Sequence, residues 1–145
     1  MNWKLLLAAV FVAGLLSGVV VYAAVEHLVQ IRNAGKIRTI GVQVFADETL
    51  TTVLDVVDWG ILNPGENQSV NAWIKNTGND AQKLVMWTES WEPVAAQNSI
   101  TLSWDYVNEW IPVGDSIPVT FTLSVDSGIS DVDSFSFDIW VKGVS

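Results

Sequence analysis

The chain reads as an all-β protein, a two-layer antiparallel sandwich of the immunoglobulin-like or jelly-roll kind preceded by one N-terminal hydrophobic helix. Three observations point there. Residues 117–125 alternate, with Ile117, Val119, Phe121, Leu123 and Val125 on one side and Thr120, Thr122 and Ser124 on the other, and Phe135, Phe137, Ile139 and Val141 repeat the pattern. That period of two belongs to strands with one buried face. Between Asp58 and Gly78, the turn signal Pro64-Gly65 and the turn signal Asn76-Thr77-Gly78 bracket nine alternating residues, with Val70, Ala72 and Ile74 opposite Asn71, Trp73 and Lys75. Short runs of this type recur at regular spacing down the chain, as a sandwich requires.

The first element is a membrane-targeting segment. Leu5 to Val25 is an apolar run softened only by Ser17 and Tyr22. It exceeds the roughly 7–15 residues of a signal-peptide core and, at ~20, is long enough to span a bilayer, so residues 1–35 are expected to form a signal anchor or signal peptide with a short helical stalk over Glu26–Gly35. Arg32, Lys36 and Arg38 follow the run and outnumber the charges before it, so the positive-inside rule does not favour an outside C-terminus. The signal-like layout and the acidic remainder instead place the protein at the cell membrane with an extracytoplasmic domain, or secreted to the surface.

The sandwich is expected over residues 36–145. Strands are predicted at 37–46, 50–57, 68–76, 82–89, 99–105, 117–126 and 134–142. Their connections fall at Asp47-Glu48, Asn63–Glu66, Asn76–Asp80, Pro93–Asn98, Val113–Asp115 and Asp126–Asp133. The last two strands are expected to pair as a hairpin, with Val70, Ile74, Leu102, Phe121, Leu123, Phe137 and Ile139 in the core. An internal echo relates two halves: Gly65-Glu66 leads to Val70 and Gly78, and Gly114-Asp115 leads to Val119 and Gly128.

Composition excludes several functions. The 145 residues carry 7 bases against 16 acids, a net charge of −9, and no cysteine. Disulfides and thiolate chemistry are absent, and so acidic a surface repels nucleic acid. The one histidine, His27, lies beside the hydrophobic run, which leaves the sandwich without imidazole for a copper or zinc site or a Ser-His-Asp triad. Asp126, Asp131 and Asp133 crowd one loop as oxygen donors that could hold calcium, although the EF-hand spacing is missing. The Glu89 and Glu92 pair around Trp91 invites comparison with glycosidases, but their separation across a sugar cannot be read from sequence. No catalytic residue and no cofactor are expected.

Tryptophan is over-represented, with 8 in the chain. Trp104 follows the core period of its strand, and Trp59 is expected at a strand end. Trp73 and Trp140 fall with the polar residues of their strands and Trp87 follows them, so these three are the candidate interaction residues for protein or sugar contact. Asn67-Gln68-Ser69 is an N-glycosylation acceptor in a turn.

The N-terminal hydrophobic segment, the strand after it, Leu62-Asn63-Pro64-Gly65-Glu66 and Asn76-Thr77-Gly78 resemble small surface sandwich proteins of archaea and bacteria. More narrowly, they are similar to the TasA and camelysin type of biofilm fibre subunit. The resemblance implies a jelly roll whose N-terminal strand completes the sheet of the next subunit. Two functions are therefore expected. One is a non-enzymatic structural or adhesive surface protein that joins itself or another surface protein through an exposed edge near Ile37–Phe45 or through an aromatic face. The other is a membrane-anchored module that binds polysaccharide through its tryptophans.

Overall fold

The computed structural model describes residues 31–145, and these form one compact unit. The hydrophobic run Leu5–Val25 and His27 lie outside the described residues. Among the described residues no helix is long and apolar enough to cross a membrane.

Eight strands are present: β1 (Ile31–Ile40), β2 (Val42–Phe45), β3 (Val56–Leu62), β4 (Asn67–Asn76), β5 (Lys83–Glu92), β6 (Ile100–Trp104), β7 (Ser116–Val125) and β8 (Ser134–Val144). They build two four-stranded sheets, in the order β3-β1-β8-β5 for the first and β2-β4-β7-β6 for the second. Every neighbouring pair is antiparallel except β1 with β8, which run parallel from Arg32 beside Ser134 to Ile40 beside Lys142. The expected all-β sandwich is thus present, with one parallel pair at the centre of the first sheet.

The core lies between the sheets and is built by alternation. Strand β7 contributes Val119, Phe121, Leu123 and Val125, β8 contributes Phe135, Phe137, Ile139 and Val141, and β4 contributes Ala72 and Ile74, all buried. Val70 and Leu102 are half-buried and pack against them. Trp91 closes one end of the core, its ring stacked on Phe137 at 4.2 Å between centroids and 8° between planes. Trp59 is fully buried within β3, and Trp104 lies against Phe121 at 6.0 Å.

Asn76 ties the other end together. It is buried, its Nδ2 donates to the carbonyls of Asp80 (2.8 Å) and Ile111 (3.0 Å), and its Oδ1 accepts from Gly78 N–H (2.9 Å). Its own backbone bonds Asp115 and Gly114. The Asn-Thr-Gly signal therefore does more than turn the chain, because one side chain satisfies three loop backbone groups that burial would otherwise strand. The internal echo also has a physical basis: Gly65 and Gly114 both sit at positive φ, 82° and 79°, in the turns that lead into the adjacent strands β4 and β7. A side chain is disfavoured at either position.

Four expectations are corrected. Ile31–Gly35 form the first half of β1 rather than the end of a helical stalk, because parallel pairing with β8 fixes them extended. The expected strand 37–46 is two strands, split by a bend at Gly41 that carries the chain from one sheet to the other. The expected strand 50–57 is mostly an irregular loop touching β2 through the single bridge Val53 to Phe45, and the real strand runs on through Trp59 and Gly60 to Leu62. Asp47 explains this: its carboxylate accepts the N–H groups of Thr51 and Thr52 and the hydroxyls of Thr49 and Thr51, so the β-branched run wraps around it. Finally, β7 and β8 are not a hairpin. They lie in different sheets, because the connection at 126–133 is long enough to cross the ~10 Å between layers and lets both strands turn their apolar faces inward.

Candidate functional site: the outer face of the first sheet

Alternation that sends Phe137, Ile139 and Val141 inward sends Ser136, Asp138, Trp140 and Lys142 outward, and the register then composes the outer face row by row. Arg38, Trp140 and Trp87 form one row across β1, β8 and β5. Ile40, Lys142 and Val85 form the row on one side, and Val56, Lys36, Asp138 and Glu89 the row on the other. The two indoles are stacked, 5.7 Å between centroids and 4° between planes. Trp87 Nε1 donates to Glu89 at 2.8 Å, while Trp140 Nε1 is covered and has no partner. Arg38 lies 3.8 Å from Asp138.

This face also exposes aliphatic carbon. Ile40 (47%), Val56 (50%), Ile61 (46%) and Val85 (44%) all retain close to half of their surface in water, all on this side of the first sheet. Further along the same face a hollow of about 170 Å³ opens over the small residues Ala34 and Ser136, bordered by Lys36, Asp138, Ser90 and Val56.

Charge is distributed unevenly. Between residues 31 and 145 there are six bases and fifteen acids. By register, five of the bases (Arg32, Lys36, Arg38, Lys83, Lys142) and four of the acids (Asp58, Glu89, Glu92, Asp138) occupy outer positions of the first sheet. These positions carry one positive charge net, and the whole excess of negative charge lies elsewhere on the domain.

The opposite outer face differs in kind. Trp73 is there, on β4, half-buried between Phe45 of β2 and Pro118 of β7. Around it run Ser69, Asn71, Thr101, Ser103, Thr120, Thr122 and Ser124. Several of these bond one another, Ser69 to Thr122 at 3.0 Å and Thr120 to Asn71 at 3.1 Å. Trp73 is thus separated from Trp87 and Trp140 by the full thickness of the sandwich, and the three expected interaction residues do not make one surface.

The edge expected near Ile37–Phe45 is exposed only in part. Strand β1 is bonded on both sides from Ile31 to Lys36 and Ile37 N–H meets the Asp55 carbonyl, whereas Arg38–Ile40 pair with β8 alone. The free side of β2 is covered by residues 52–54, with Leu54 N–H on the Val44 carbonyl at 2.9 Å and Ala46 N–H on the Thr52 carbonyl at 2.8 Å. Other edges are blunted too. The start of β5 is covered where Gln82 and Ile111 exchange backbone bonds and where Leu84 N–H meets the Tyr106 hydroxyl. The β3 edge carries Asp58, which takes the Gly60 N–H at the register shift opposite Asn33 and Ala34. These are recognised ways of preventing strand addition.

The remaining candidates are placed as follows. Asp126, Asp131 and Asp133 are exposed in the β7–β8 connection, where Asp126 accepts the Gly128 N–H. Among the described residues no three acids converge into a group able to hold a metal. Asn67 is exposed at the first residue of β4. Arg38, Lys142, Ile40 and Val85 were missed from sequence, because only the pairing of β1 and β5 with β8 brings them beside the indoles. The sequence matches no protein-family model and no curated protein.

Proposed function

We propose that the chain is a non-enzymatic, adhesive or structural protein of the cell surface, whose sandwich meets its partner through the outer face of the first sheet. The observation that supports this is the stacked Trp87–Trp140 pair with half-exposed Ile40 and Val85 in the next row and Val56 and Ile61 further along the same face. Apolar surface gathered on one face marks interaction sites more than single scattered residues do. The aromatic route to assembly is favoured over sheet-edge pairing, because part of the β2 edge and the start of β5 are already bonded within the chain and β3 is interrupted by its register shift. Of the two kinds of sandwich expected, the parallel β1–β8 pair favours the immunoglobulin-like one, since a jelly roll consists of antiparallel Greek keys.

A second reading, polysaccharide binding by the same face, is favoured by one feature. The hollow on the same face is edged by Lys36, Ser90, Ser136 and Asp138, polar groups of the sort that hold sugar hydroxyls. Titrating the full chain in detergent with soluble polysaccharides, while following tryptophan emission in the native chain and in Trp140→Ser, separates the readings. Quenching that requires Trp140 favours the sugar. Absence of quenching together with self-association favours the adhesive role.

A further inference from the structure

We infer that the occupant of this face is a second copy of the same chain, packed sheet against sheet about a two-fold axis; the inference rests on the reading of the face as the contact surface. Charge is the first argument. Any contact that joins two molecules of net charge −9 brings like charges together unless it uses a surface from which that excess is missing. The outer face of the first sheet, with five bases against four acids, is such a surface, and its charges are of both signs, as a self-complementary contact needs.

Geometry is the second argument. A two-fold axis running along the strands between β1 and β8 sets β1 of one copy over β8 of the other and keeps each row at its own height. Lys36 then lies opposite the second copy's Asp138, and Arg38 opposite its Trp140 ring, a cation over an aromatic face. Both contacts occur twice.

Size is the third. Four strands at ~4.8 Å spacing and about ten residues long at ~3.3 Å per residue give a projected face of roughly 600 Å². Side-chain relief brings this to the ~800 Å² per partner of a standard interface. The other outer face offers no comparable apolar surface, because its Phe45 is buried beneath neighbours and its hydroxyls bond among themselves.

The test is sedimentation of the full chain in detergent over a salt series, run beside the double variant Ile40→Lys/Val85→Lys and the control Val107→Lys. All three sites are exposed, so folding should survive, and circular dichroism checks it. The expected result is a dimer that tightens as salt screens the acidic remainder, weakens about tenfold or more in the double variant, and is unchanged in the control. A dimer that persists in the double variant overturns both this inference and the contact-face reading. Association that weakens with salt overturns the face-to-face geometry, because it means the slightly basic face has met the acidic remainder. A monomer at every salt concentration overturns self-pairing alone if hydroxyethyl cellulose then binds in a Trp140-dependent way, and overturns the contact-face reading as well if it does not.

Discussion

The indole rings of Trp87 and Trp140 lie parallel across β5 and β8, 5.7 Å between centroids, on the outer face of the first sheet. Nearly parallel indoles at this distance pack as a unit. Replacing either by Ser should cost about 1 kcal/mol beyond the lost contact area, and the double replacement should cost less than the two singles together. Denaturant midpoints of the four chains of the cycle measure this coupling. Additive costs would mean that the rings do not touch in solution.

Two buried asparagines should respond in opposite ways. Asn76 satisfies Asp80, Ile111 and Gly78, so Asn76→Ala strands three backbone groups and should destabilise the fold by about 3 kcal/mol. Asn33 is nearly as buried, but neither polar atom of its side chain has a partner. Replacement of an unsatisfied polar side chain by an apolar one of similar size relieves a desolvation cost, so Asn33→Leu should raise the melting temperature. Thermal unfolding of the two variants checks both signs.

Much of this architecture was legible in the sequence and some was not, for reasons that can be named. Alternation placed Phe121, Leu123, Phe137 and Ile139 in the core, since side-chain period is local information. Turn chemistry placed the connections at 63–66 and 126–133. Strand partnership is long-range and leaves no local trace, so the parallel insertion of β1 between β3 and β8 was not legible, and neither was the separation of β7 from β8. The same limit hid the site: Trp87 and Trp140 could be assigned to outer faces, but not to one face and not away from Trp73. Asp47 misled the reading differently, because a side chain capturing backbone N–H groups overrides the strand propensity of Thr51, Thr52 and Val53.

Acid should unfold the domain partly through two loop carboxylates. Hydrogen bonds from Thr49, Thr51 and Thr52 hold Asp47 well below the ordinary carboxylate range, and the backbone and side-chain amides of Asn63 lower Glu66. A group whose folded pKa is depressed contributes stability that is present above its unfolded value, about 4, and is lost as pH falls toward the folded value. The stability curve should therefore drop below about pH 4, and Asp47→Asn with Glu66→Gln should flatten that limb while leaving the shape above pH 6 unchanged. Urea midpoints from pH 2 to 7 supply the comparison.

Phe121 is fully buried at the centre of β7, stacked near Trp104. Phe121→Ala should cost roughly 3–5 kcal/mol through the cavity it leaves. An unchanged denaturant midpoint would remove β7 from the core.

The account turns on the outer face of the first sheet being covered in the assembled protein. The chain has no cysteine, so a single introduced thiol reports one site. Val85→Cys sits on that face and Thr101→Cys on the outer face of the second sheet, each on an edge strand and each exposed. On intact cells expressing the full chain, a membrane-impermeant maleimide should label Thr101→Cys readily and Val85→Cys slowly, with Val85→Cys becoming reactive after detergent extraction and dilution. Equal labelling of the two thiols on intact cells would contradict the account.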